Sequence, residues 1–295
     1  MIQRFSFGHP FPTQSVVLSL PAESGPVPFL TPDDSGWRLT LSEQAAVYGL
    51  GEMPRGINKR GWHYITNNTD ESRHSEDKLS FYGAHNFLLM RDGSTCFGLF
   101  VDFPGKVYYD IGYTRHDLFS FHTETPDYDL YLLSGENENA ICKEFRTLIG
   151  RSYIPPKWAF GLAQSRWGYK TEEDVREVAR QYKEHDLPLD MICMDIEYMQ
   201  DYADFTVNKE RFPDLTKLSA DLKAQGIRLV PIIDAGVRID PNDSTCTEGL
   251  EKGYFCKKAD GTPFVAAVWP GKAYFADFLR PEAVSYTHLR AHETR

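Results

Sequence analysis

Over the first half of the chain, apolar residues come in short runs that alternate with polar ones. SVVLSL (15–20), WRLTL (37–41), NFLLM (86–90), TCFGLFV (95–101), KVYYD (106–110), LFSFH (118–122) and YDLYLL (128–133) are rich in β-branched and aromatic residues. Gly, Pro, Asp and Asn separate them. Short strands at this spacing predict a β-sandwich over residues 1–150. The period then changes. In ENENAICKEFRTLIG, Ile141, Phe145 and Leu148 fall on one helical face and Gly150 closes the helix.

RSYIPPKW (151–158) marks a boundary, because its prolines disfavour helix in the residues before them. Beyond it, strands and helices alternate. AFGLAQS (159–165), LDMICMD (189–195) and IRLVPIID (227–234) read as strands, the last blemished by Pro231. Thr171 with Asp174 makes a capping-box variant ahead of Val175, Val178, Ala179 and Tyr182. Leu215, Leu218 and Leu222 predict a further helix, closed by Gly226. Such βα alternation means a parallel sheet covered by helices, in a doubly wound sheet or a (β/α)8 barrel.

Two of these strands end in aspartate, Asp195 and Asp234. Parallel α/β folds build their sites at the C-terminal strand ends. Each aspartate also fits the simpler role of helix cap. Trp167, Tyr169, Tyr198 and Trp269 lie near them in sequence. Carboxylates that accept from hydroxyls, beside flat aromatic faces, suit a sugar.

Other chemistries lack their residues. GxGxxG and GxxxxGK[ST] do not follow any strand, and GxSxG is absent. YGLGE (48–52) reads as a tight turn. His63, His74 and His85, with Asp70, Glu76 and Asp77, match no common metal spacing. The 295 residues are 41% hydrophobic and 14% aromatic, enough for a sizeable core. A net charge of −10 without basic runs argues against nucleic acid and anionic membrane as partners. No apolar leader opens the chain. The five cysteines form no CxxC pair, and a cytoplasmic protein with reduced thiols is predicted. Oligomeric state is not encoded in any readable pattern.

YGLGE (48–52), NKRG (58–61), NNTD (67–70), PPKWAFGLAQSRWGY (155–169), MDIEYM (194–199), FTVNKERFPD (205–214), IIDAG (232–236) and VWPGKAYFADF (268–278) together resemble glycoside hydrolase family 31. The resemblance runs from about residue 45 to 283. It is closest to bacterial, intracellular α-glucosidases of this family of retaining α-glucosidases, α-xylosidases and relatives. It implies a galactose-mutarotase-like β-sandwich (1–150) followed by a (β/α)8 TIM barrel. It also implies a small oligosaccharide as substrate and no metal or organic cofactor, because carboxylates alone run this chemistry. By the same resemblance, Asp195 and Asp234 bind the terminal glucose. Asp70 reaches the site from an N-terminal loop near the leaving-group sugar. Trp269 forms a pocket wall, and Trp167 shapes the pocket, with a bias towards α-1,6 linkages. Glu197 stands where many relatives carry Asp and is expected to support the site.

The family's nucleophile lies in a W-N-D-M-N-E-like segment on the fourth strand, with the acid/base further on. Neither is present, so no catalytic residue is assigned and the chain by itself is expected to be inactive. About three of eight barrel strands fall in residues 151–283, where a whole barrel takes about 250 residues. The tail VSYTHLRAHETR (284–295) resembles no family continuation. It reads as translated sequencing adapter, with no apolar stripe to pack and no element of its own. His288 and His292 within it, four apart, are set aside as a metal pair. An α-xylosidase and a carbohydrate-binding protein without catalysis are the alternative readings.

Overall fold

The computed structural model describes residues 1–234 and 236–293. Ala235 of the IIDAG segment, Thr294 and Arg295 of the tail, and the side chains of His292 and Glu293 lie outside the described residues. The chain divides into two compact units, Met1–Tyr153 and the remainder from Ile154, within the Pro-containing segment.

The first unit is a sandwich of two antiparallel sheets. Its strands are β1 (Ile2–Phe7), β2 (Thr31–Pro32), β3 (Trp37–Thr40), β4 (Ala46–Gly51), β5 (Trp62–Thr66), β6 (Ala84–Asp92), β7 (Thr95–Asp102), β8 (Val107–Ile111), β9 (Leu118–Thr123) and β10 (Tyr128–Ser134). One sheet runs β1-β10-β7-β6-β4 and the other β2-β3-β9-β8-β5. Helix α1 (Glu138–Ile149) is capped by the Asn137 side chain and ends at Gly150. Strand alternation sends successive side chains to opposite faces. Leu88, Leu99, Val101 and Leu130 therefore meet Tyr109, Ile111, Phe119 and Phe121 in the core. Their neighbours Leu89, Phe100, Tyr131 and Leu133 face Ile141 and Leu148 of α1. Burial on both faces explains why TCFGLFV and YDLYLL are nearly continuous apolar runs.

Three expectations for this unit need correction. SVVLSL (15–20) is no strand. It is extended and rests Val16, Leu18 and Leu20 against the α1 side of the sheet. Val17 donates its N–H to Leu148 O at 2.9 Å, and no neighbouring strand supplies a ladder. YGLGE is not a tight turn; it is the end of β4, with a register shift between Gly49 and Gly51 where it pairs with β6. The backbone is left-handed there, with φ of 117° at Gly49 and 75° at Gly51. β1 and β5 were not anticipated.

The second unit carries β11 (Ala163–Arg166), α2 (Glu172–Glu184), β12 (Met191–Met194), α3 (Leu215–Ala224), β13 (Arg228–Pro231), β14 (Gly236–Arg238), α4 (Ser244–Glu251), β15 (Val265–Val268), β16 (Gly271–Phe275) and α5 (Pro281–Glu293). β11, β12 and β13 pair in parallel, and β14, β16 and β15 form an antiparallel sheet. Ile192 and Met194 of β12 pack with Val175 and Ala179 of α2 and with Leu215, Leu218 and Leu222 of α3. Thr171 and Asp174 complete a reciprocal capping box at α2. These are strands and helices of a partial (β/α)8 barrel.

Here too the strands are shorter than the sequence suggested. AFGLAQS begins as a 3₁₀ turn at Lys157–Phe160, and the strand starts only at Ala163. The Asp190 carboxylate accepts the N–H of Leu162 at 3.0 Å, while Leu162 O already receives the N–H groups of Asp190 and Met191 at the start of the ladder. IRLVPIID stops as a strand at Pro231, although Pro231 still pairs with Met194 and the Ile232 N–H still reaches Met194 O. The segment read as having no element forms most of α5. Ala283 is fully buried, and the Tyr286 ring lies 5.1 Å from that of Tyr254 while its hydroxyl donates to Thr245 O at 3.3 Å. No helix among the described residues is long and apolar enough to cross a membrane.

The bulge in β4 makes a direct test of this packing. A Cβ at Gly49 would sit 2.3 Å from Phe87 O and would need a φ that L residues rarely adopt. Gly49→Ala is expected to destabilise the first unit by about 2 kcal/mol. Urea unfolding followed by tryptophan fluorescence should show the lower midpoint with an unchanged slope.

Candidate functional site

The parallel register sets the site. Arg166 pairs with Met194, and Met194 with Pro231, so the three strands end level with one another. The next residues along are Trp167, Asp195 and Ile232. The Ile232 N–H still reaches Met194 O at 3.0 Å, which carries the third strand's path alongside Asp195. Asp234 follows two residues later.

Asp195 opens a 3₁₀ turn at Ile196–Tyr198 and accepts the Ile196 N–H at 2.8 Å through Oδ1. The capping role and the strand-end role thus coincide in one residue. The other carboxylate oxygen makes no hydrogen bond among the described residues. Asp234 caps no helix, because β14 follows it. Burial, and then the charge of Asp195, push its carboxyl above the usual carboxylate range. The two carboxylates therefore feel each other at one rim. Two acceptors at one rim suit a ligand presenting several hydroxyls.

A third carboxylate, which sequence reading missed, stands behind Asp234. Asp204 is 3% exposed and accepts the Asp234 backbone N–H at 2.9 Å through Oδ1, while Oδ2 has no partner among the described residues. Burial, reinforced by the Asp234 charge, pushes its carboxyl up to about 7 against the pull of that hydrogen bond. Its sequence signal was weak, since ADF (203–205) looks like loop filler. Glu197 is 4% exposed, and neither carboxylate oxygen has a partner among the described residues. Both oxygens are therefore enclosed away from solvent.

The aromatics divide into two groups. Tyr169 and Tyr198 are buried. The Tyr198 hydroxyl donates to Ile232 O at 2.8 Å, tying the end of β12 to the end of β13. Gln164 donates to the Tyr169 hydroxyl at 3.0 Å, and Tyr182 donates to Gln164 Oε1 at 2.6 Å. These tyrosines are fasteners and not sugar platforms. Trp167 and Trp269 are 69% and 70% exposed and keep that possibility. Trp269 occupies the turn between β15 and β16. A side chain at Gly236 would place its Cβ 2.7 Å from Val268 Cγ2, so the residue before Trp269 closes directly over the backbone that follows Asp234.

Asp70 belongs to the first unit and is exposed on the loop between β5 and β6. That loop is stapled across its base. The Thr69 N–H donates to Phe81 O at 3.0 Å, Ala84 N–H to Asn68 Oδ1 at 2.8 Å, and the Tyr82 hydroxyl to Glu71 O at 2.6 Å. His74 packs on Phe81 and Tyr82, His85 on Phe100 and Phe145, and His63 on Tyr113. Each histidine rests on aromatic rings in its own neighbourhood. No group of three metal-binding side chains occurs among the described residues.

Comparison with known proteins places both units. Residues 24–110 match the glycosyl hydrolase 31 N-terminal galactose mutarotase-like domain, and residues 152–294 match the glycosyl hydrolases family 31 TIM-barrel domain. The chain is 40% identical over 240 residues to alpha-glucosidase 2 of Bacillus thermoamyloliquefaciens, covering 81% of this chain and 30% of that protein. It is 28% identical over 244 residues to an alpha-glucosidase of Saccharolobus solfataricus, covering 82% and 35%. It thus spans about a third of these relatives. Among solved structures, a GH31 dextranase of Flavobacterium johnsoniae complexed with isomaltotriose superposes with a TM-score of 0.79 at 23% identity, covering 90% of this chain and 33% of that one. The cycloalternan-degrading enzyme of Trueperella pyogenes in complex with isomaltose gives 0.78 at 16%, covering 91% and 44%. At such identities the structures speak for the fold.

The raised Asp204 carboxyl has a thermodynamic consequence. A folded-state value above the unfolded one means that folding retains a proton. Its contribution to stability is full below about pH 4 and is lost as pH rises towards 7. The loss amounts to at most about 4 kcal/mol. Asp204→Asn, which cannot ionise, should therefore gain stability relative to the parent chain between pH 4 and 7, as read from thermal melts across that range. Parallel melts for the two proteins would remove Asp204 as the group responsible.

Proposed function

The chain belongs to glycosyl hydrolase family 31, and from that premise we propose that it is part of an exo-acting, retaining α-glucosidase that removes terminal α-linked glucose from short oligosaccharides. The observation that carries this reading is the pair Asp195, directly after β12, and Asp234, three residues after β13, with the charge of Asp195 acting on the Asp234 carboxyl. Ionised carboxylates accept hydrogen bonds from sugar hydroxyls, and each such bond contributes about 1.5–3 kcal/mol. Trp167 and Trp269 offer exposed apolar faces for the C–H side of a ring, and Asp70 is assigned to the leaving-group side. Both tryptophans need a ligand or further chain to justify their exposure.

In this reading residues 1–150 are the sandwich domain, 151–283 belong to the barrel, and 284–295 derive from adapter sequence. Retention requires a nucleophile and an acid/base about 5–5.5 Å apart. The carboxylates described above act as binding groups instead, so the chain holds substrate without cleaving it. Sequencing the source DNA past codon 280 tests the tail: a reading frame running on into a W-N-D-M-N-E-like strand supports its adapter origin.

The binding site is tested by calorimetry on the whole chain with isomaltose and maltose. Saturable binding is expected, weakened at least tenfold by Asp195→Ala and by Asp234→Ala. Hydrolysis of either disaccharide by the chain should not be detectable. Tighter binding of an α-xyloside would shift the substrate to xylose. Binding that survives both substitutions would move the site to the sandwich and favour a carbohydrate-binding protein without catalysis.

A further inference from the structure

The segment 232–234 is held from two sides. At one end the Tyr198 hydroxyl donates to Ile232 O at 2.8 Å. At the other the Asp204 carboxyl accepts the Asp234 N–H at 2.9 Å. Neither contact involves the Asp234 side chain, so both fix its direction and leave its oxygens available. Asp204 is itself set by an unusual stretch of backbone. Asp201, Tyr202 and Phe205 all adopt left-handed conformations, with φ of 50°, 59° and 62°. Non-glycine residues in that region persist where the surroundings enforce them, and they cluster at functional sites. The loop is fastened by Gln200 N–H to Thr206 Oγ1 at 2.9 Å, Asn208 N–H to Tyr198 O at 2.8 Å, and Arg211 to Met199 O at 3.0 Å. The strained turn thus delivers one buried carboxyl to one backbone amide.

We propose that Asp204 is a positioning residue for Asp234, and that its protonation state sets how firmly the Asp234 carboxylate is presented to ligand. The proposal rests on the reading of Asp234 as a sugar-binding group. Protonated, Asp204 accepts the amide through one oxygen and places no charge beside Asp234. Ionised, it accepts that amide more strongly but becomes a buried anion next to another carboxylate, and it makes no ion pair among the described residues. The groups that face it are Asp234, the Tyr198 hydroxyl and, beyond Asp234, Asp195, while His288 of α5 lines the same cavity as Asp234 and Phe205. Arg238, the nearby cation, engages Asp201 at 3.8 Å. Rising pH therefore sets a like charge behind the Asp234 carboxylate, and affinity falls as the solution passes through neutrality.

The test has two independent parts. In the first, the Asp234 amide is followed by NMR in the whole chain without ligand. Its resonance should titrate near neutral pH. Asp204→Asn, whose amide oxygen still accepts the bond, should keep its protection from exchange and abolish the titration. Asp204→Ala should speed its exchange at least tenfold. An amide that does not titrate and exchanges alike in all three proteins overturns the proposal. In the second part, isomaltose affinity is measured from pH 6 to 8. The parent chain should weaken roughly three- to tenfold, the reach of up to one unit of coupling, while Asp204→Asn stays flat. A purely structural role would shift melting without changing that profile, and an unchanged profile in Asp204→Asn overturns the pH-dependent part. If the amide behaves as stated but Asp234→Asn leaves isomaltose binding intact, the sugar-site reading fails and the positioning role stands.

Discussion

The structure of the second unit depends on one constraint, the level register of three parallel strands. Parallel pairing fixes Arg166 beside Met194 and Met194 beside Pro231. A shift of one residue in β12 would turn Asp195 from the rim towards the helices, because neighbouring side chains face opposite ways. The register is itself held by the packing of Ile192 and Met194 against α2 and α3. Apolar burial thus decides where the carboxylates stand. The last bond of the β12–β13 ladder, from Ile232 N–H to Met194 O, marks the level where the rim begins.

Beyond the rim, the residues that touch ligand in this reading and the residues that hold them are chemically alike. Asp195, Asp204 and Asp234 are the same side chain in three surroundings. Asp195 is half-buried and capped onto its own turn, Asp234 is half-buried beside it, and Asp204 is enclosed. Enclosure, reinforced by the Asp234 charge, pushes the Asp204 carboxyl up, as desolvation disfavours the charged form. The tyrosines make the same point. Tyr169 lies two residues from the exposed Trp167 and Tyr198 three residues from Asp195, yet both serve as internal ties.

Much of this was legible in the sequence. The runs TCFGLFV, LFSFH and YDLYLL, the capping box at Thr171 and the aspartates after the strands all declared themselves, since each depends on neighbours within a few residues. What sequence reading missed depends on distant partners. SVVLSL has strand-like residues but no neighbour to complete a ladder. YGLGE has turn-like glycines, but β6 draws it into a sheet with a bulge. Asp204 carries no local signal, because its importance comes from an amide thirty residues away. The helix after Pro281 has no apolar stripe; buried Ala283 and the Tyr286 contacts with Tyr254 and Thr245 anchor it instead.

The hairpin that bears Trp269 has a consequence for how such a site diversifies. β16 is anchored to β14 by Gly236–Phe275, Val237–Tyr274 and Arg238–Ala273, all on the side away from the turn. Residues added or removed in pairs at the turn would leave that anchorage untouched and move the tryptophan along the strand axis by about 3.3 Å per residue. Variation at this turn would slide the tryptophan while the backbone around Asp195 and Asp234 stays put. In the reading proposed above, substrate length and linkage then become matters of loop arithmetic, separable in inheritance from the groups proposed to grip the sugar.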